Sequence, residues 1–257
     1  MLFWQKLPKP EAVVIMRPME NAYSDVGDKN LQVTEKANRF VNWMYREVKP
    51  FLSGSILEIG SGLGVYSEKL AADFPAQALI LSDIDDRYLA ALRERFAGRP
   101  SVQVRKMDLA NEADMNGLES SVDTVIALNV LEHIKDDLGA LRNVYKVLRP
   151  GGQFVILVPA HPWLFNCIDR AINHERRYTK KSLTALVAQT PFRMDKLFYF
   201  NALAMVGWFV NGHLFKKSVI HEGSMSLFNA LVPILAWVEK HLLRQKIGIS
   251  LIAVVKK

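Results

Sequence analysis

Between Ser55 and Pro159, short apolar runs alternate with amphipathic stretches, and this alternation limits what the chain can fold into more than any other feature. The apolar runs lie at 56–59, 78–81, 102–104, 122–128 and 154–158. Stretches at about 66–74, 87–96 and 138–148 repeat their apolar residues at helical spacing. Strands that alternate with helices join through right-handed crossovers, which lay helices on both faces of a mostly parallel sheet. Two later runs, 192–200 and 249–255, read as further strands, for seven in all. Upstream, Thr34 is placed to cap a helix running through Phe40, Val41, Trp43, Met44 and Val48 to Pro50. Residues 1–33, with prolines at 8, 10 and 18, show no regular pattern.

The expected architecture is one α/β domain over all 257 residues. Residues 202–245, rich in Leu, Phe, Trp and Val, are too many for an ordinary connection and read as a late hydrophobic insertion between the last two strands. Half of the chain is apolar and 23% charged, which excludes wholesale disorder. An excess of 33 Lys and Arg over 26 Asp and Glu gives a net charge of +7. That favours anionic partners without choosing among phosphorylated substrates, nucleic acid and acidic membranes. Cys167 is the sole cysteine, so neither an internal disulfide nor a thiolate cluster is available. A signal peptide needs a longer apolar stretch than the first ten residues supply, and no run reaches the ~18–20 apolar residues of a spanning helix. A cytoplasmic protein is expected.

The first strand ends in Glu58-Ile59-Gly60-Ser61-Gly62-Leu63-Gly64, and a helical pattern follows. Glycines at such a turn allow positive φ and let a ligand lie against bare backbone, where helix-terminal amides meet negative groups. A dinucleotide loop would read G-x-G-x-x-G, but position 65 is Val and the third glycine comes one residue early. The acidic G-x-G-x-G spacing is instead similar to the signature of class I S-adenosylmethionine-dependent methyltransferases, small-molecule enzymes of the type 11/12 kind. The likeness continues in order from about residue 34 to the end of the chain. It implies a Rossmann-like fold with S-adenosylmethionine as cofactor, held by Glu58, Gly60, Ser61, Gly62, Gly64, Asp83, Ile84, Asp108, Leu109 and Asn129. By that resemblance Asp83 takes the ribose hydroxyls, Asp108 the adenine amino group and Asn129 the methionine end. Arg149-Pro150-Gly151-Gly152 resembles the turn before the family's fifth strand. The residues alone leave other readings open: Asp83, Asp85 and Asp86 as helix caps, and Asp108 as a turn residue.

Methyl transfer is an in-line displacement, so holding nucleophile, methyl and sulfur collinear matters most, and a base is needed only when the nucleophile arrives protonated. Two groups beyond the fifth strand carry suitable chemistry: Pro159-Ala160-His161-Pro162-Trp163 and His174-Glu175-Arg176-Arg177-Tyr178. His174 is the candidate base. Arg176 and Arg177 are candidate clamps for a substrate carboxylate or phosphate, with Tyr23, His161 and Tyr178 as further pocket residues. The second group reads equally as a basic loop that pins its own helix. His133 opens a helix beside the cofactor. The histidines lack H-E-x-x-H spacing, so no metal site is expected.

Asn129 is followed by Val130-Leu131-Glu132 rather than the Pro-Pro-Tyr of base-amino methyltransferases, which counts against nucleic acid. The apolar, aromatic stretches of 202–245, edged by Lys216, Lys217, Lys240, His241 and Arg244, suit a lipid-like acceptor or peripheral contact with the inner face of a membrane. They equally suit packing on the domain or a dimer contact. The leading expectation is an enzyme methylating a small or lipid-like acceptor. The alternatives are a non-catalytic cofactor-binding subunit and an RNA methyltransferase.

Overall fold

A computed structural model describes residues 28–30, 32–34, 36–216, 219 and 222–257. Its centre is a seven-stranded sheet in the order β3-β2-β1-β4-β5-β7-β6. The strands are β1 (Ile56–Ile59), β2 (Leu79–Asp83), β3 (Val102–Lys106), β4 (Val122–Leu128), β5 (Leu148–Pro159), β6 (Arg193–Phe200) and β7 (Ser250–Lys256). The first five are parallel, and β7 runs antiparallel between β5 and β6. Strand order reverses between β1 and β4, so the crevice beyond their carboxyl ends is where a sheet of this kind takes ligands.

Helices α1 (Asn38–Val48), α2 (Val65–Asp73), α3 (Asp86–Arg95) and α4 (Asp137–Val147) cover the sheet, followed by α5 (Cys167–Ala171) and α6 (Lys180–Val187). Every residue of β1 is buried because both its faces are covered. One core cluster joins Phe154, Ile156 and Val158 to Leu141 and Val144 of α4. The opposite cluster joins Ile126, Val155 and Phe200 to Trp43 of α1 and Leu70 of α2.

Three expectations change. Thr34 does not cap α1: its hydroxyl donates to the carbonyl of Asn30, and Ala37 occupies the cap position with no side-chain bond. Residues 28–30 and 32–34 are helical, held from outside by Asp28, which pairs with Arg87 of α3 at 2.8 Å. Strand β5 begins at Leu148, six residues early, since Arg149-Pro150-Gly151-Gly152 is absorbed as an irregularity between the Val122 and Thr124 pairings.

The segment between β6 and β7 is helical. Helix α7 (Ala204–Phe209) widens into a π-turn at Val210–Leu214, and α8 (Glu222–Val238) into another at Glu239–Leu243. One side of α8 packs on α1. The Asn229 side chain accepts from the backbone N–H groups of Arg39 and Phe40, and Phe228 meets Phe40 edge-on at 5.4 Å. The other side leaves Leu227, Leu231, Ile234 and Trp237 exposed, the first of them 64% so. Among the described residues no helix is long and apolar enough to cross a membrane.

Candidate active site

The loop after β1 is shaped by its glycines and fastened by its acid. Gly60 has φ +69°, and a Cβ there would sit 2.6 Å from Val130 Cγ2, so a side chain would be both strained and blocked. Glu58 is buried and accepts from the hydroxyls of Ser61, at 3.0 Å, and Ser67. Burial pushes its carboxyl up to about 7, against the pull of those two bonds. Glu58 therefore ties the glycine loop to the first turn of α2.

Asp83 ends β2 with its carboxylate buried against the same loop. Its Oδ2 accepts from the Gly62 N–H at 2.9 Å and its Oδ1 from the Asp85 N–H at 3.0 Å. Burial raises its pKa despite these backbone donors. Asp85 is the cap of α3, accepting from the Arg87 N–H, and Asp86 pairs with Lys106. The capping alternative thus holds for Asp85 and not for Asp83. Asp108 does make a turn, accepting from the Ala110 N–H at 2.8 Å, and still faces the crevice. Asn129 closes β4 with φ +56°. Ile84, 63% exposed, and Leu109 complete this edge.

A cavity of about 1240 Å³ joins these groups. It exceeds the roughly 300–1,000 Å³ usual for one small ligand, leaving room for two reactants. Its roof comes from the segment between β6 and β7, including Asn201, Trp208, Met225 and Phe228. Trp208 and Phe228 belong to the apolar stretches expected to face a lipid-like acceptor, whereas Asn201 and Met225 carried no mark in the sequence. The hydrophobicity of the insertion was the available signal.

At the far end lies a buried polar cluster. Asp169 Oδ1 meets His174 Nδ1 at 2.9 Å and accepts from Arg177 Nε at 2.8 Å, while its Oδ2 accepts from Trp208 Nε1 at 3.3 Å. Burial works against the Asp169 charge, but the His174 bond and Arg177 together hold its carboxyl below the usual range. Burial pushes the Glu132 carboxyl the other way, up to about 8, although its own backbone N–H dipole and the Arg177 charge pull it down. Beside it, burial and the neighbouring His174 lower His133 to about 4. Asp169 and Glu132 went unmarked in the sequence, because their positions along the chain carry no sign that they meet.

The structure divides the residues expected to meet a substrate. His174 and Arg177 line the cavity. Arg177 is no free clamp: it is buried, bonded to Asp169 and the Ala160 carbonyl, and stacked 4.8 Å over Trp208. Arg176 turns away to Asp137 and the Lys135 carbonyl. Tyr178 is a core residue whose hydroxyl donates to Asp137. His161 stacks on Tyr199 and does not line the cavity. Tyr23 lies outside the described residues.

This sheet, with its glycine-loop crevice, is the architecture of class I S-adenosylmethionine-dependent methyltransferases. A solved S-adenosylmethionine-dependent methyltransferase from Mesorhizobium loti superimposes with a TM-score of 0.57 at 15% identity, over 83% of this chain and 96% of that one. Residues 57–154 match the family described as a methyltransferase domain. A Mycolicibacterium smegmatis protein described as an S-adenosylmethionine-dependent methyltransferase is 32% identical over 142 residues, 54% of this chain and 52% of its own length. A ubiquinone/menaquinone biosynthesis C-methyltransferase of Rickettsia typhi is 30% identical over 112 residues, 42% of this chain and 45% of its own. The chain thus spans about half the length of these two relatives. The cofactor that goes with the class is S-adenosylmethionine. The residues fit it: Gly60 and Gly62 present backbone to the cavity, and Asp83 beside them keeps acceptor capacity beyond its two backbone donors.

Proposed function

We propose that this chain transfers the methyl group of S-adenosylmethionine to an acceptor with a hydrophobic, lipid-like body. The observation that carries this reading is one continuous cavity running from the glycine loop to helices whose outer faces are apolar. When bound, S-adenosylmethionine supplies a methyl carbon on a sulfonium sulfur.

In this reading the backbone of Gly60, Ser61, Gly62 and Gly64 receives the donor, with Glu58 holding the loop in shape. Asp83 accepts from the ribose hydroxyls, Asp108 from the adenine amino group, and Ile84 and Leu109 flank the ring. Asn129 meets the methionine end. Trp208, Met225 and Phe228 exclude water and align the acceptor, and such alignment can supply roughly 7–11 kcal/mol of a barrier. His174 has its Nδ1 engaged by Asp169, so Nε2 is the nitrogen left to take a proton from an acceptor.

The exposed apolar side of α8 and the basic residues Lys240 and Arg244 beyond it suit peripheral contact with an anionic bilayer that delivers the acceptor. The quinone-pathway name of the Rickettsia typhi relative agrees with an acceptor of that character. The test is incubation of the full chain with methyl-tritiated S-adenosylmethionine and either a total lipid or a polar metabolite extract. Label in the organic phase is expected. Label only in the aqueous phase contradicts a lipid-like acceptor, and none in either contradicts methyl transfer.

A further inference from the structure

We propose that Glu132, His133 and His174 form a site for one divalent transition-metal ion of the zinc kind at the acceptor end of the cavity. The three side chains bring one ligand atom each to within 4.8 Å of one another. Chain spacing hides this, since His174 comes from the segment after β5 while Glu132 and His133 follow β4.

The surroundings are those of a metal site. A ligating imidazole almost always donates its other ring N–H to a carboxylate or backbone carbonyl, which fixes the ring and frees the opposite nitrogen. Both imidazoles are held that way: His174 Nδ1 by Asp169 at 2.9 Å, and His133 Nδ1 by the Asn173 carbonyl at 3.2 Å. Each ring is left with Nε2, and that of His174 lies 3.7 Å from Glu132 Oε1, beyond hydrogen-bond reach.

Glu132 is the second, independent observation. It is fully buried, and neither carboxylate oxygen has a hydrogen-bond partner among the described residues. A polar group buried without a hydrogen-bond partner costs free energy, and coordinating a metal is one way a buried carboxylate is satisfied. The nearby Arg177 is bonded directly to Asp169, which leaves Glu132 as the carboxylate without a bonded cation.

Two imidazoles and one carboxylate select zinc, iron, cobalt or manganese over magnesium and calcium, which prefer all-oxygen shells. Bonds of about 2.0–2.2 Å put tetrahedral ligands roughly 3.3 Å apart, so occupancy needs the side chains to draw in by up to about 1.5 Å. Three protein ligands leave a coordination position open. His133 and His174 both line the cavity, so that position is offered to the acceptor, and an acceptor oxygen is the group it would hold. This last role rests on the methyl-transfer reading; the ion site itself does not. With Nε2 on the ion, His174 is a ligand and no longer a free base.

The experiment is equilibrium dialysis of the full chain, stripped with chelator, against micromolar Zn²⁺ alone, without methyl donor. One equivalent is expected, with affinity at least tenfold weaker in Glu132→Gln and in His133→Asn. Should either variant fail to fold, Co²⁺ added to the native chain reads the same site. A visible d–d absorption abolished by one equivalent of Zn²⁺ is expected. No retained Zn²⁺, an equivalent that folded variants keep at full affinity, or a Co²⁺ sample without that absorption overturns the site. Binding of S-adenosylhomocysteine, measured separately, tells failure of this site from failure of the methyl-transfer reading.

Discussion

Asp83 accepts the Gly62 N–H at 2.9 Å, so the acid at the end of β2 and the glycine loop after β1 form one unit. The bond fixes the loop before any ligand arrives and aims the remaining lone pairs of the carboxylate along the crevice. Replacing Asp83 by Ala removes both effects. Hydrogen bonds to a charged group contribute about 1.5–3 kcal/mol, so S-adenosylhomocysteine should bind roughly 10–150-fold more weakly. Equilibrium dialysis checks this, and unchanged affinity would remove Asp83 from the site.

Gly60 tests the shape of the loop. Gly60→Ala places a Cβ against Val130 Cγ2 at positive φ, and each kind of strain costs about 1–3 kcal/mol. Thermal unfolding should show the loss. Adding Val130→Ala should restore the steric part and leave the backbone part. A double variant no more stable than Gly60→Ala would contradict the contact.

Glu58 gives a pH dependence. Burial raises its carboxyl from the ordinary 4.5 to about 7, so the folded chain binds this proton more tightly than the unfolded chain. Its contribution to stability is therefore full below about pH 4.5 and is lost as pH rises through about 7. Glu58→Gln does not titrate. Relative to wild type it should gain on the order of 3 kcal/mol between pH 4.5 and 8 in urea unfolding. A wild-type-to-variant difference that stays flat with pH would count against a raised Glu58.

Much of this was legible in the chain. Runs 56–59 and 122–128 match β1 and β4 because strands covered on both faces read as unbroken apolar stretches. Strand β5 was read short because Pro150-Gly151-Gly152 looks like a turn, whereas a left-handed Gly151 lets pairing resume at Gln153. The glycine loop and the strand-end acids are local signals. The 174–178 loop was not legible at the level of side chains. Arg176 and Arg177 are neighbours facing opposite ways, and loop orientation follows from partners such as Asp169 and Asp137, which no periodicity reveals.

Asp169 is the partner on which that end of the cavity depends. Its side chain and that of Arg177 are almost completely inaccessible, so Asp169→Ala leaves a buried guanidinium without its counter-ion. Breaking a buried pair in this way costs about 3–5 kcal/mol. A large fall in melting temperature is expected, and a change within error would show that the pair contributes nothing.

The exposed side of α8 carries the membrane reading. Leu227 and Ile234 are each more than 60% exposed, so Glu at both positions should leave folding intact. It should weaken co-sedimentation with anionic phospholipid vesicles by tenfold or more, since burying one such side chain contributes about 1.5–3 kcal/mol. Equal sedimentation of both folded proteins would place that face elsewhere.

The G-x-G-x-G spacing and the crevice behind it make one claim above the rest, that the donor is S-adenosylmethionine and not a dinucleotide. Calorimetric titration of the full chain with S-adenosylhomocysteine and, separately, with NAD tests it most directly. One-to-one binding of S-adenosylhomocysteine with no heat from NAD is the predicted result. Binding of NAD, or of neither compound, would contradict it.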